Sequence, residues 1–147
     1  MCGLLGYSTS HSSDFAHSWL HCSSNVLSHR GPDDNGFFEN RPHGIGLVHN
    51  RLSILDPTSS GHQPMLSPDG RMALVFNGEI YNYRYLRQEL ELEGYHFQSS
   101  TDTEVLLASF LNLKNQGCSI VDNITSLLRR LNGIFVFALW DGFTRQL

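Results

Sequence analysis

The stretch from Tyr81 to Asn132 carries three helical patterns and no strand signal. It separates a β-rich first half from the strongly β-prone run Gly133-Ile-Phe-Val-Phe-Ala-Leu-Trp-Asp141. That order constrains the fold more than any single motif. Strands that come in a block, then helices, then one more strand give an α+β protein rather than the regular alternation of a parallel α/β sheet.

Residues 3–8 read as a short buried strand. Phe15, Trp19, Cys22 and Val26 recur at spacings of 4, 3 and 4, so they are expected to form the buried face of a helix. Residues 28–36, rich in Gly, Pro, Asn and Asp, read as a loop. Strand-like pieces follow around 37–39, 45–54 and 71–80, with turn signals at Gly61-His62-Gln63-Pro64 and Ser67-Pro68-Asp69-Gly70. Tyr81, Tyr83 and Tyr85 read as packing at a helix start. Asn82 is placed to cap that helix, which runs to Glu93 and stops at Gly94. Thr101-Asp102-Thr103-Glu104 matches a capping box for a helix running towards Gly117, with Leu106, Phe110 and Leu113 in register. Ile120, Ile124, Leu127, Leu128 and Leu131 form a third apolar stripe. The strand at 133–141 looks central and so wants a further neighbour, which predicts that the domain continues beyond Leu147.

The chain has 147 residues, enough for one domain with a core, and a formal charge of −4. No basic face is implied, so nucleic acid is not the expected partner. No apolar run approaches a membrane span, and none follows Met1 as a signal peptide. Cys2, Cys22 and Cys118 are odd in number and far apart, which predicts a reducing, cytoplasmic setting rather than a disulfide scaffold.

Four stretches carry candidate chemistry. If Met1 is excised, Cys2 presents a thiol and a free α-amine on one residue. These groups ordinarily titrate within about a unit of each other, so the amine can serve as the thiol's base. The alternative is a chance cysteine on a frayed end. Asn77-Gly78 is a strong hairpin signal, but no strand follows for over fifty residues; the other reading is a pair of donors, the Asn77 amide and the Gly78 N–H, aimed at an oxyanion. Asp102, at the start of its helix, reads in isolation as an acid favoured by the helix dipole, and alternatively as a carboxylate that binds an ammonium. Arg51 reads either as a surface ion-pairing residue or as a clamp for a carboxylate. His11, His17 and His21 are expected to scatter over an early loop and helix, and no zinc spacing is present, so no metal site is expected. There is no P-loop motif of the G-x-x-x-x-G-K-[ST] kind.

Seven stretches occur in order: MCGLLGY, HRGPDDNG, RLSILD, GHQPM, FNGEIYNY, STDTEV and RLNGIFVFALWD. Together they make the chain resemble the N-terminal glutaminase domain of class II glutamine amidotransferases, in particular that of glutamine-hydrolysing asparagine synthetases. The resemblance covers residues 1–147 and implies a domain incomplete at its C-terminal end, with the synthetase domain absent. It implies an N-terminal-nucleophile hydrolase fold, a four-layer α-β-β-α sandwich of two mostly antiparallel sheets. It also implies roles: Cys2 as nucleophile with its α-amine as base; Asn77 and Gly78 as the oxyanion hole; Arg51 on the α-carboxylate of glutamine; Glu79 and Asp102 on its α-ammonium. Leu52, Ser53, Ile54 and Leu55 would line the pocket, and Arg30 and Gly31 would shape a mobile entrance loop. No cofactor is implied for this chain; ATP and Mg belong to the synthetase domain. The implied partners are glutamine and either a second copy of the chain or a separate synthetase. Two alternatives stand beside this reading: a glutaminase domain that feeds another carboxylate, and a non-catalytic glutamine-binding fragment.

Overall fold

The computed structural model describes residues 1–10, 14–114 and 119–147. The expected tail of the third helix towards Gly117, His11, Cys118 and the side chain of Ile120 lie outside the described residues. Strands β1 (Gly3–Ser8), β2 (Asp34–Asn40) and β3 (Ile45–Arg51) form one antiparallel sheet in the order β1-β3-β2. Strands β4 (Met65–Leu66), β5 (Met72–Ile80) and β6 (Gly133–Asp141) form a second, in the order β4-β5-β6. Helix α1 (Asp14–Leu27) covers the outer face of the first sheet. The helices α2 (Tyr83–Leu92), α3 (Asp102–Lys114) and α4 (Ile120–Arg130) build the layer outside the second. Strands β1 and β3 pack on β5, so the layers run helix, sheet, sheet, helix, the α+β sandwich expected.

The two-residue period of the strands sorts their side chains between these layers. Met72, Leu74, Phe76 and Ile80 point from β5 into the core shared with α2 and α3. Ala73 and Val75 point the other way, between the sheets, against Ile45, Leu47 and Trp140. All seven residues of β3 are buried, because it is central in its sheet and covered on both faces. Helix α3 is buried without interruption from Asp102 to Phe110, as suits an element packed against the sheet and both other helices of its layer.

Strand β4 is short, and beyond it the edge of β5 has no neighbouring strand among the described residues. In the register that pairs Met65 with Leu74, Gln63 would oppose Phe76, but Pro64 has no N–H to continue the ladder. The Gln63 side chain takes over: its Oε1 accepts the Phe76 N–H at 2.7 Å, and its Nε2 donates to Thr103 at 3.2 Å. His49 Nε2, from the facing sheet, donates to the Phe76 carbonyl at 2.9 Å. Asp102 Oδ2 accepts the Ile80 N–H at 3.0 Å. Three side chains from three different elements thus replace the missing strand.

Several local expectations are corrected. Helix α1 buries Ala16, Leu20, Ser23 and Ser24, while Phe15 and Val26 are 79% and 71% exposed, and Trp19 and Cys22 also face outward. Both stripes fit a helical period; the sheet selects the one with smaller side chains, which allows closer approach. Strand β3 ends at Arg51, so residues 52–54 are loop. Asn82 precedes α2 but does not cap it with its side chain, which holds the Arg130 carbonyl and the Asn132 N–H and so ties the end of α4 to the start of α2. The capping box is half made: the Thr101 hydroxyl accepts the Glu104 N–H, but the Glu104 carboxylate takes the N–H groups of Gln98 and Ser99 instead. In α4, Leu127 is buried while Leu128 is 42% exposed. Tyr85 is exposed, and Tyr81 lines the cavity described below. Gly94, with φ +92°, ends α2 as expected.

Burial between the sheets pushes the His49 imidazole from its ordinary 6.5 down to about 4. The unfolded chain therefore binds this proton and the folded chain does not as pH falls from 6.5 towards 4, so folded stability declines over that window. His49 should cost about 2 kcal/mol between pH 7 and pH 5. Urea unfolding at these two pH values should show that decline in the parent and lose it in His49→Gln.

Candidate active site

The inner faces of the sandwich change character along their length. At one end they carry Leu4, Phe38, Ile45, Leu47, Ala73 and Val75. Continuing the same alternation towards the other end brings Cys2 from the β1 side, His49 and Arg51 from β3, and Asn77 and Glu79 from β5. Polar residues on facing inner surfaces hold the layers open there, and a cavity of about 240 Å³ results. It is lined by Met1, Cys2, Arg51, Leu52, Ile54, Leu55, Asn77, Gly78, Glu79, Tyr81, Thr101, Asp102, Thr103 and Ile134.

Cys2 is half-buried at the cavity wall. Its Sγ lies 3.3 Å from the Leu52 N–H, which donates to it, and 3.7 Å from the Leu52 carbonyl. The Arg30 Nε donates to the Cys2 carbonyl at 3.1 Å. Gly31 lies so close to the backbone of Asn50 and Arg51 that any side chain there would collide with it. Arg30 thus ties down the backbone of Cys2, and neither Arg30 nor Gly31 is among the residues that line the cavity.

Arg51 is 5% exposed and is no surface ion-pairing residue. Its guanidinium donates to the carbonyls of Leu55, Asp56 and Thr58 at 3.0, 2.5 and 2.9 Å. These bonds curl the loop after β3 around the guanidinium and engage three of its five N–H groups. The head group also packs on Gly61, where a Cβ would overlap it. The loop is fixed in turn by Asp56, which accepts from Thr58 and from the Ser100 N–H; these bonds hold its carboxyl down to about 2. The Ser53 backbone N–H donates to Asp33 Oδ2 at 2.7 Å. Of the expected lining residues, Leu52, Ile54 and Leu55 are present and Ser53 is not.

Asn77 and Gly78 lie within β5 and pair with Val136 and Phe135 of β6, so they form no turn. The Asn77 side-chain amide makes no hydrogen bond among the described residues. Gly78 falls between Phe76 and Ile80, whose N–H groups are covered along the same edge, and it borders the cavity. Its φ of +150° and the nearby Ile134 carbonyl and Phe135 leave no room for a Cβ. Asp102, 5% exposed, has its pKa raised by burial, against the bond from the Ile80 N–H that favours its charge. Glu79 stands exposed at the rim. The cavity lining thus combines one guanidinium, two carboxyls, a thiol and a side-chain amide.

Met1, Tyr81, Thr101, Thr103 and Ile134 line the cavity as well. Thr101 and Thr103 flank Asp102 in the STDTEV stretch, and that adjacency is their signal in the sequence. Ile134 arrives through its pairing with Glu79, which sequence spacing does not reveal.

Gly78→Ala should lower the melting temperature, because the backbone conformation alone costs about 1–3 kcal/mol for a residue with a side chain and the β5–β6 pairing must also shift. Asn77→Ala should leave it nearly unchanged. Thermal unfolding of the two variants side by side checks this; equal melting temperatures would contradict the account of Gly78.

Among the described residues, no helix is long and apolar enough to cross a membrane. The family described as "Glutamine amidotransferase domain" matches residues 1–147. "Asparagine synthetase [glutamine-hydrolyzing] 1" of Bacillus subtilis is 37% identical over 144 residues, covering 96% of this chain and 21% of the relative. "Amidase chry2" of Gibberella zeae is 36% identical over 128 residues, covering 87% of this chain and 17% of the relative. The chain spans about a fifth of the length of the curated relatives it matches. Among solved structures, the glutamine phosphoribosylpyrophosphate amidotransferase from B. subtilis matches with a TM-score of 0.66 and 25% identity, over 96% of this chain and 35% of that one. The α+β N-terminal-nucleophile architecture expected from the resemblance therefore holds, and the chain belongs to the glutamine amidotransferase domain family.

Proposed function

We propose that this chain hydrolyses the side-chain amide of glutamine at Cys2 and supplies the released ammonia to an amide-forming reaction. The observation that carries the reading is the convergence of Cys2, Arg51, Asn77, Gly78, Glu79 and Asp102 on one cavity. Glutamine presents a carboxylate, an ammonium and an amide. Arg51 meets the carboxylate with an N–H that its own loop leaves free. Glu79 and Asp102 meet the ammonium, whose arrival offsets the burial that raises Asp102. The amide then lies between the thiol and β5.

Once Met1 is removed, the α-amine of Cys2 accepts the thiol proton, directly or through a water. The thiolate adds to the amide carbon, and negative charge develops on its oxygen. Asn77 Nδ2 and the Gly78 N–H stabilise that charge as groups already fixed by the sheet. The amine returns its proton to the leaving nitrogen, ammonia departs, and a glutamyl thioester remains. Water, activated by the same amine, releases glutamate and restores the thiol. The Leu52 N–H, 3.3 Å from Sγ, helps to hold the sulfur at the cavity wall.

The acceptor step, for which ATP and Mg are expected, belongs to a synthetase domain or a separate synthetase partner. The cavity offers Arg51 as its cation beside two carboxyls, a set poorly matched to a triphosphate, and no step here runs through a nucleotide. Aspartate is the proposed acceptor, on the likeness to asparagine synthetases. The amidase chry2 likeness favours a second reading, an acceptor carboxylate of another kind. Three unpaired-by-pattern cysteines support a reducing, cytoplasmic setting.

Cys2→Ala should abolish glutamate release from glutamine while leaving glutamine binding measurable by calorimetry. Chains that retain Met1, identified by mass, should be inactive as well; a fully active Met1-bearing sample would rule out the amine as base. Asp102→Asn keeps an oxygen for the Ile80 N–H but loses charge. It should fold normally and weaken glutamine binding by about 1.5–3 kcal/mol. Unchanged binding would return Asp102 to a purely structural role.

A further inference from the structure

The histidines of α1 do not scatter. His17 and His21 stand one turn apart on α1, facing Glu39 of the edge strand β2, and one ligand atom from each lies within 4.8 Å of the others. We propose that His17, His21 and Glu39 form a binding site for a single zinc ion that fastens α1 to β2.

The arrangement is organised for a cation. His17 Nδ1 is 2.7 Å from Glu39 Oε2. The Tyr7 hydroxyl donates to the other oxygen, Oε1, at 3.1 Å, which fixes the carboxylate with Oε2 turned towards the helix. The His21 ring stacks on Phe37 with centroids 4.3 Å apart and meets the His17 ring edge-on at 4.6 Å. Glu39 is 16% exposed and His17 38%, so the ligands sit in a shallow recess with a route for the ion and for a water as fourth ligand. Two imidazoles and one carboxylate suit zinc; calcium and magnesium prefer oxygen alone. Donor atoms on a tetrahedral zinc lie about 3.4 Å apart, so the His17–Glu39 pair opens slightly as the ion replaces the proton they share. Arg41 Nε, 3.6 Å from Glu39 Oε2, opposes the ion and must turn outward; it is 49% exposed and able to do so.

The site has a structural, not a catalytic, place. Glu39 and Tyr7 both pair with Gly46, five residues along β3 from Arg51, or about 16 Å from the cavity end of the sheet. Helix α1 packs mainly on β1 and β3, and the ion would tie it to the third strand.

The test is a calorimetric titration of zinc chloride into the chain carrying Cys2→Ala, Cys22→Ser and Cys118→Ser, which removes the competing thiols. One ion per chain is expected, with a higher melting temperature when zinc is present. His17→Ala, His21→Ala and Glu39→Gln should each weaken binding at least tenfold, and Tyr7→Phe about tenfold as a positioning residue. Arg41→Gln should tighten it. His21 is exposed, so His21→Ala keeps the fold and serves as the decisive variant. No binding at millimolar zinc, or binding and thermal gain unchanged in His21→Ala, would overturn the proposal.

Discussion

Strand β5 outruns its short neighbour β4, and the rest of the molecule is arranged around the edge this exposes. A buried peptide group without a partner costs about 1–3 kcal/mol. The chain covers the edge with side chains instead of a strand: Gln63 on the Phe76 N–H, His49 on the Phe76 carbonyl and Asp102 on the Ile80 N–H. Each comes from a different element, so covering one edge also joins the two sheets and seats the start of α3. Gly78, between the covered positions, borders the cavity. Among the described residues, no side chain bonds to that part of the edge.

The same alternation that builds the apolar core builds the site. Leu47, His49 and Arg51 share one face of β3, and Val75, Asn77 and Glu79 share the facing side of β5. Moving along either strand passes from oil-like packing to polar groups within two residues. His49 sits at the crossing point, wholly buried and held neutral by that burial. Arg51 shapes its own surroundings by gathering three carbonyls of the following loop, and Leu52 in that loop then meets the Cys2 sulfur. The RLSILD stretch is thus one physical unit, a guanidinium and the backbone it folds around itself.

Much of this was legible in the sequence. The β-prone run at Gly133–Asp141 is a strand over that whole length, and the helical gap before it gives the α+β order. Cys2, Arg51, Asn77, Gly78, Glu79 and Asp102 were all named and all meet at one cavity. What failed depended on partners. Helix α1 carries two stripes of equal period, and only the sheet beneath it selects Ala16 and Leu20 over Phe15 and Trp19. Asn82 and Glu104 have capping side chains by pattern, but nearby loops offered them other backbone groups. Ser53 follows the pocket residues in sequence, yet its N–H goes to Asp33. His17 and His21 meet Glu39 through a strand pairing that spacing alone does not show.

The central claim is that the uncovered part of the β5 edge receives the oxyanion formed at Cys2. A crystal structure of the chain after reaction with a chloroketone analogue of glutamine tests it most directly. The account predicts a bond from Cys2 Sγ to the analogue, with the carbonyl-derived oxygen accepting from Asn77 Nδ2 and the Gly78 N–H, and the α-carboxylate on Arg51. An adduct whose oxygen points to solvent, with Asn77 and Gly78 untouched, would contradict it.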